Sequence, residues 1–225
     1  MPTLEEIANR AQNVLADSAA ATWSQATVQE WITDAIKEYS TTFPRQLGTT
    51  VSTSADTHNY TLPSDFLEML LVEYPTGEDP PEYLERLNRK DPRFWHSDDF
   101  YDVEHKRDAQ ADGVLWISDD PAGTETVTLT YLGHHDLTLA ADDSITVPAE
   151  HEHLLILWVV WRAHQEREAD ELQNPDTTIR MLHQMKLATE AAERAYYKAL
   201  NEAKEQRSDG GWTVPWKIDT HDRIY

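Results

Sequence analysis

Cysteine is absent from the 225 residues, so disulfides, thiolate metal ligands and cysteine nucleophiles are excluded together. Glycine is also scarce, with 7 residues in the whole chain. The sequence contains no Walker loop, no G-x-G-x-x-G and no G-x-S-x-G. Phosphate-cradling loops and a nucleophile elbow are therefore not predicted, and we expect no cofactor.

Long hydrophobic runs are missing as well. The longest, "LLILWVVW" at 154–161, is far shorter than the roughly 20 residues that a membrane span requires. The opening "MPTLEEIANR" is acidic and helical in pattern, unlike a secretory signal. We therefore expect a soluble protein without a membrane partner.

Basic residues are outnumbered: 19 Lys and Arg stand against 41 Asp and Glu, giving a formal net charge of −22. Residues 51–149 alone hold 21 acidic and 6 basic side chains, a net −15. Such a surface repels phosphate, which disfavours tight nucleic-acid binding. A plain solvated surface or a salt-loving host would explain the acidity equally well.

Both flanks of the chain have helical periodicity. Capping boxes are predicted at Thr3 with Glu6 and at Thr27 with Glu30, and Pro44 ends the second helix. Each box precedes an apolar face with three- and four-residue spacing. These faces are Leu4, Ile7, Ala8, Ala11, Val14 and Leu15, then Val28, Trp31, Ile32, Ala35, Ile36 and Tyr39.

The middle of the chain is typical of strands and turns. Strands are predicted in "GTTVSTSADTHNYTLP", "FLEMLLVEY", "FYDVEHK", "GVLWIS", "ETVTLTYLG" and "SITVP". In the fifth of these, Val127, Leu129 and Tyr131 should point inward. The stretch "PPEYLERLNRKDPRFW" favours short helical turns broken at Pro92.

Helical pattern returns at about Ala149 and is broken at Asn174-Pro175, after which Asp176 can cap a last helix over 177–207. At 1.5 Å per residue that helix would run roughly 45 Å. Its apolar stripe is mostly small, which favours close packing against other long helices, including those of other subunits. The stripe is Met181, Met185, Ala188, Ala192, Ala195, Ala199 and Ala203.

The predicted class is α+β, mainly a helical bundle of two N-terminal and two C-terminal helices with a β-rich insertion and an extended tail. Four segments follow: N-terminal helices at 1–47, an acidic β-rich insertion at 48–148, long helices completing the bundle at 149–207, and a tail at 208–225.

Catalytic and metal-binding patterns are weak. His151 and His153 are two residues apart and diverge on a helix, unlike the ligands of a zincin. Adjacent carboxylates at 98–99, 119–120 and 142–143 lie in polar turn sequence, where solvated turns explain them better than acid–base pairs. Cations such as Arg194 and Lys198 on the last helix could line a nucleic-acid channel or pair with neighbouring glutamates. We predict no catalytic residue, no metal site and no enzymatic activity.

Four stretches resemble the head-to-tail adaptor (connector, or head-completion) proteins of tailed bacteriophages, over roughly residues 27 to 172. They are "VQEWITDAIKEYSTTFP", "YTLPSDFLEMLLVEYP", "LWISDDPAGTETVTLTYLGHH" and "ITVPAEHEHLLILWVVWRAHQEREAD". Their order and spacing carry the resemblance, and the fourth is the most characteristic.

The resemblance implies a structural virion protein of the neck, assembled in the host cytoplasm. Such proteins form a ring, usually of twelve subunits, beneath the portal, which extends the DNA channel and joins the head to the tail. The implied partners are the portal protein, neighbouring adaptor subunits and tail or tail-completion proteins. Genomic DNA would pass through the lumen without specific binding.

Two other function classes remain open. A hydrolase of peptidoglycan type could use the central carboxylates, and a non-viral interaction module could use the β insertion for a protein ligand.

The tail "SDGGWTVPWKIDTHDRIY" is too short for a core of its own and too aromatic for an ordinary end. Gly210 and Gly211 are predicted to act as a hinge after the last helix. The residues beyond them are predicted to bind the portal or a neighbouring subunit, since Trp and Tyr are frequent interface anchors. These residues are Trp212, Val214, Pro215, Trp216, Ile218, Ile224 and Tyr225. Folding back onto its own subunit is the alternative for this tail.

Overall fold

The computed structural model describes residues 1–17, 19–104, 113–119, 121 and 123–209. These residues form four α-helices and two sheets, which confirms the α+β class. The helices are α1 (Leu4–Val14), α2 (Gln25–Thr42), α3 (Glu152–Gln173) and α4 (Ile179–Asp209). The strands are β1 (Arg45–Ser52), β2 (Asn59–Thr61), β3 (Phe66–Glu73), β4 (Glu85–Arg86), β5 (Phe100–Glu104), β6 (Val114–Ile117) and β7 (Thr126–Gly133).

The chain divides into two compact units, one of residues 1–36 together with the chain from 138 onward, and one of residues 37–137. The division falls within α2. We describe the first as the helical unit and the second as the β-rich unit.

In the helical unit, α3 packs against both α1 and α4. The capping box at Thr3 and Glu6 is confirmed: the Thr3 hydroxyl accepts from the backbone N–H of Glu6, and the Glu6 carboxylate accepts from that of Thr3. Ile7 and Ala11 are fully buried as predicted, whereas Val14 is exposed because α1 ends there.

The second predicted cap is wrong by one turn. Helix α2 begins at Gln25, and the Ser24 hydroxyl accepts from the backbone N–H of Thr27 at 3.1 Å. Ser24 can therefore serve as the cap, three residues before the predicted position. The apolar face from Val28 to Tyr39 is buried throughout.

The β-rich unit contains an antiparallel sheet in the order β1-β7-β3 and a second sheet in the order β2-β6-β5-β4. The predicted alternation in β7 is confirmed, with Val127, Leu129 and Tyr131 buried between less buried threonines. These side chains form one apolar core with residues of the other strands, including Ile117 and Val72.

Helical turns predicted within 80–91 are wrong, because residues 81–88 are extended and only a turn at 89–90 follows. Its backbone N–H groups donate to two neighbouring segments: Leu84 to the carbonyl of Val72 at 2.9 Å, and Leu87 to that of Tyr101 at 2.9 Å. Long-range pairing overrides local helix propensity here. A short 3₁₀ helix begins only at Pro92 and ends at His96.

Two further predictions in the helical unit are wrong. "SITVP" is no regular strand: Ile145 and Val147 are fully buried, but the segment makes only an isolated bridge between Ser144 and Thr3. At the start of α4 it is the Thr178 hydroxyl, and not Asp176, that accepts from a first-turn N–H, that of Met181. Burial in the tertiary structure explains the first outcome and the position of the Thr178 hydroxyl explains the second. Sequence pattern alone determined neither.

Candidate assembly surfaces

Helices α3 and α4 are joined by residues 174–178, and aromatic rings fill their contact. Trp161 stacks on Tyr196 at a centroid distance of 5.9 Å and an interplanar angle of 20°. Tyr197 and Trp158 contact the same indole at 5.8 and 6.4 Å. The buried Nε1 of Trp161 has no hydrogen-bond partner among the described residues. Apolar packing therefore carries this contact, since an unpaired buried donor costs about 1–3 kcal/mol.

The small-residue stripe predicted on α4 is only partly buried. Ala203 is buried, Ala188, Ala192 and Ala199 are half-buried, and Ala195 is exposed. The residues buried most deeply on α4 are Tyr196, Leu200 and Ala203, all in its second half. The first half of α4 is thus a helix with little cover from the described residues of its own unit.

Large apolar side chains are exposed on both sides of the turn between α3 and α4. Leu172, near the end of α3, is 64% exposed, and Ile179, the first residue of α4, is 87% exposed. Met181 and Leu187 follow on α4 at 44% and 48%. Single exposed leucines are ordinary, whereas four exposed apolar side chains between Leu172 and Leu187 together increase the apolar area that a partner can cover. We call Leu172, Ile179, Met181 and Leu187 the hairpin tip.

A shallow groove also lies between α3 and α4, with a volume of about 240 Å³. His164, Arg167, Gln184, Met185 and Ala188 line it. Burial, with a smaller contribution from the Arg167 charge, lowers the pKa of His164 and favours its neutral form. The groove is smaller than the roughly 300–1,000 Å³ of typical ligand pockets.

The predicted acidic pairs have the contacts of turn residues. Asp99 accepts a hydrogen bond from the Ser97 hydroxyl at 2.6 Å, and Asp143 accepts from the backbone N–H of Ala140 at 2.7 Å. Both carboxylates are exposed. Asp120 lies outside the described residues. These local contacts match the solvated turns that the sequence favoured.

The histidines make structural contacts. His135 is buried; its backbone N–H donates to the Ser40 hydroxyl, and its Nε2 lies 3.0 Å from the carbonyl oxygen of Phe43. Nδ1 of His153 lies 2.9 Å from the carbonyl oxygen of Glu150. In the part of the chain that the structure describes, no three histidine or acidic residues are grouped as metal ligands would be.

Cations on α4 pair along the helix. Arg194 contacts Glu190 at 3.1 Å and Lys198 contacts Glu202 at 3.7 Å, both four residues apart. These contacts support the solvated-face alternative over a nucleic-acid channel.

The predicted docking tail lies outside the described residues. This applies to the hinge, Gly210 and Gly211, and to Trp212, Val214, Pro215, Trp216, Ile218, Ile224 and Tyr225. Helix α4 reaches Asp209, directly before the predicted hinge.

Two features escaped the sequence interpretation. The hairpin tip is one, because helical spacing does not say which apolar residues a neighbour covers. The other is the loop after α1, where the Asp17 carboxylate accepts backbone N–H bonds from Ala21, Thr22 and Trp23. These bonds lower the pKa of Asp17 against an opposing effect of burial. An Asp before a short polar loop was the only available signal.

Comparison with known proteins gives one family. A family model described as SU10 adaptor protein matches residues 2–219, nearly the whole chain. No curated protein matches the chain. Among the described residues, no helix is long and apolar enough to cross a membrane.

Proposed function

This chain belongs to the SU10 adaptor protein family, and on that premise we propose that it forms a ring beneath the portal of a tailed phage, extends the DNA channel and joins the head to the tail. The family match confirms the resemblance to phage head-to-tail adaptors and supports a structural virion component that contacts other head and tail proteins. The match over residues 2–219 is the observation that carries the proposal.

The ring itself is proposed to contain twelve subunits, as the resemblance implies, and to join the portal above to tail or tail-completion proteins below. The net charge of −22 supports a lumen through which DNA slides without specific binding, because an acidic wall repels phosphate. The proposed place of the protein is the neck of the virion, after assembly in the host cytoplasm.

Within the subunit, we propose that segments 1–47 and 149–207 complete one helical bundle around which the ring is built. Segment 48–148 would be an insertion and 208–225 the docking tail. The packing of α3 on α1 and α4 supports the bundle. Limited proteolysis should cut first in the tail and next near the two ends of the insertion.

The exposed hairpin tip supports assembly through the helical unit. Leu172 and Ile179 expose apolar surface that the described residues of their own unit leave open. Burial of such surface stabilises an interface by about 25 cal/mol per Å² before the costs of association.

The test is electron cryo-microscopy of the chain co-expressed with its portal protein. We expect a closed ring of adaptor subunits on the portal. A chain that stays monomeric beside its assembled portal would contradict the proposal. Study of the chain without the portal does not test it, because isolated adaptors can be monomeric.

Deletion of residues 209–225 tests the docking tail. We expect the shortened chain to stay folded and to lose its attachment to the assembled particle, because anchors repeated around a ring act by avidity. Circular dichroism checks the fold and co-sedimentation with the portal checks attachment. Unfolding of the shortened chain would favour the alternative in which the tail covers its own subunit.

A further inference from the structure

Strand β1 is an edge strand whose inner side is fully paired. All eight residues pair with β7, from Arg45 opposite Gly133 to Ser52 opposite Thr126. On its outer side, no backbone partner is found among the described residues. The other edge of this sheet, β3, is partly covered, since the Leu84 N–H donates to the carbonyl of Val72.

Devices that normally protect an edge are missing from β1. It contains no proline, lysine or acidic residue, and its one charge is Arg45 at the first position. Its register with β7 is regular, whereas the pairing of β3 with β7 shifts at two places. A long, regular and nearly uncharged edge is a template for pairing with another strand.

The core-facing side of β1 is also incompletely covered. Leu47 and Val51 pack against the buried core of the β-rich unit but remain only half-buried. The alternate residues Gln46, Thr50 and Ser52 are exposed on the other face. A further strand beside β1 would extend the core over Leu47 and Val51.

The sequence beyond α4 has the pattern that such a strand requires. Sixteen residues follow Asp209, and within them Val214, Trp216 and Ile218 alternate with polar residues or proline. Backbone N–H groups alternate between the two sides of a strand, so a strand that directs the N–H groups of Val214, Trp216 and Ile218 toward β1 has the position of Pro215 on its outer side. Proline is tolerated there, since an edge strand needs no N–H on its outer side.

The segment 105–112, also outside the described residues, offers no such alternative. Its sequence, "HKRDAQAD", contains no large apolar side chain.

We propose that residues 213–219 of a second copy of this chain add to β1 as a new strand, with Val214, Trp216 and Ile218 covering Leu47 and Val51. The inference rests on the proposed ring and commits the docking tail to a neighbouring subunit. Each copy then offers one strand and one edge, so that head-to-tail pairing around a closed ring covers the β1 edge of every copy.

Because the chain has no cysteine, introduced cysteines can report the pairing without background. One full-length chain carries Thr50→Cys, on the exposed face of β1. A second chain with a size tag carries Thr213→Cys, Lys217→Cys or Asp219→Cys, which the added strand would place on that same face. Disulfides form only when the two Cβ atoms lie about 3.5–4.5 Å apart. Gln46→Cys and Ser52→Cys, on the same face of β1, test registers in which the added strand is shifted along β1.

The two chains are mixed in the presence of the portal and mildly oxidised. We expect a disulfide between tagged and untagged chains at one register. Thr49→Cys, on the opposite face of β1, is the matched control and should not form it. A disulfide found only within single chains carrying both cysteines would overturn the second-copy assignment. Rings that assemble without any such disulfide would overturn the added strand.

The same experiment tests the proposed ring separately from the added strand. Disulfides between copies without a ring on the portal would support the strand and overturn the ring, whereas absence of both would overturn both proposals.

Amide hydrogen exchange of 45–52 in the full-length protein gives a second readout. Assembly should slow exchange of the outward-facing amides of β1 by about tenfold or more, because they gain hydrogen bonds. Ile218→Asp should abolish that protection, since it places a charge over the core, while Lys217→Ser on the other face should retain it. Equal protection in both variants would contradict the proposed orientation.

Discussion

The core of the β-rich unit and the turn between α3 and α4 differ in how far their apolar side chains are buried. In the β-rich unit, Ile117, Val127 and Leu129 are fully buried in one core. Even its exposed Trp95 is held, by a hydrogen bond from its indole N–H to the carbonyl of Arg89. At the hairpin tip, Ile179 is 87% exposed. The centre of the β core is stabilised within its own unit, whereas the hairpin tip presents apolar surface that assembly can bury.

The largest effect on folding is expected for Leu129→Ala, in the centre of the β core. Removing this fully buried side chain should lower the free energy of unfolding by about 2–5 kcal/mol, because a cavity adds to the lost transfer energy. Chemical denaturation measures it. A loss below about 1 kcal/mol would mean that this core is loosely packed and would weaken the comparison.

Gly133→Ala is expected to cause the second-largest loss in the free energy of unfolding. A Cβ at this position would lie 2.8 Å from Cδ1 of Leu47, 3.0 Å from the Tyr131 ring and 3.1 Å from the carbonyl oxygen of Asp65. Overpacking of this kind costs about 1–3 kcal/mol.

Gly48→Ala is the matched control for this substitution. Its new Cβ would have only ordinary contact, 3.9 Å from the Leu129 carbonyl oxygen. Denaturation should show a change within about 0.5 kcal/mol. Equal losses at Gly48 and Gly133 would show that backbone conformation, rather than crowding, sets the cost.

The Asp17 loop predicts a pH dependence confined to the helical unit. Backbone hydrogen bonds lower the pKa of Asp17 in the folded protein below its ordinary 3.8. The ionised carboxylate therefore stabilises the fold above that ordinary value, and this contribution is lost as the pH falls through the lowered pKa. Asp17→Asn should be less stable than the unchanged chain at neutral pH, and the difference should shrink below about pH 4.

Thermal melts of the two proteins from pH 7 to pH 2.5 measure that difference. A gap that stays constant over the whole range would show that the charge of Asp17 contributes nothing.

Much of this fold could be predicted from periodicity. The apolar faces of α1 and α2 and the alternation in β7 depend on local sequence, and all three elements are present. The extended stretch around Leu84 could not be predicted, because its hydrogen bonds go to residues distant in sequence. The stretch around Ile145 and Val147 was predicted as a strand; both side chains are buried, but apolar residues of this kind do not by themselves distinguish a strand from an irregular segment.

The candidate surfaces were less predictable than the fold. Leu200 and Ile179 are both aliphatic residues of α4, yet one is buried and the other almost fully exposed. Helical spacing identifies apolar residues, whereas their cover depends on which other elements pack against each part of the helix. The docking tail was inferred from composition, because aromatic residues beside glycine and proline have no core of their own to join.

The smallest effect on folding and a large effect on assembly are expected for Ile179→Ser. At 87% exposure this side chain makes few contacts within its own subunit, so the free energy of unfolding should change by less than about 0.5 kcal/mol. If the hairpin tip is covered in the ring, the same change should weaken ring formation on the portal, measured by co-sedimentation. Arg180→Ser, at the next and also exposed position, is the control and should assemble normally. Undiminished assembly of Ile179→Ser would leave the tip outside the interface, and the contrast between the two regions would then concern solvent exposure alone.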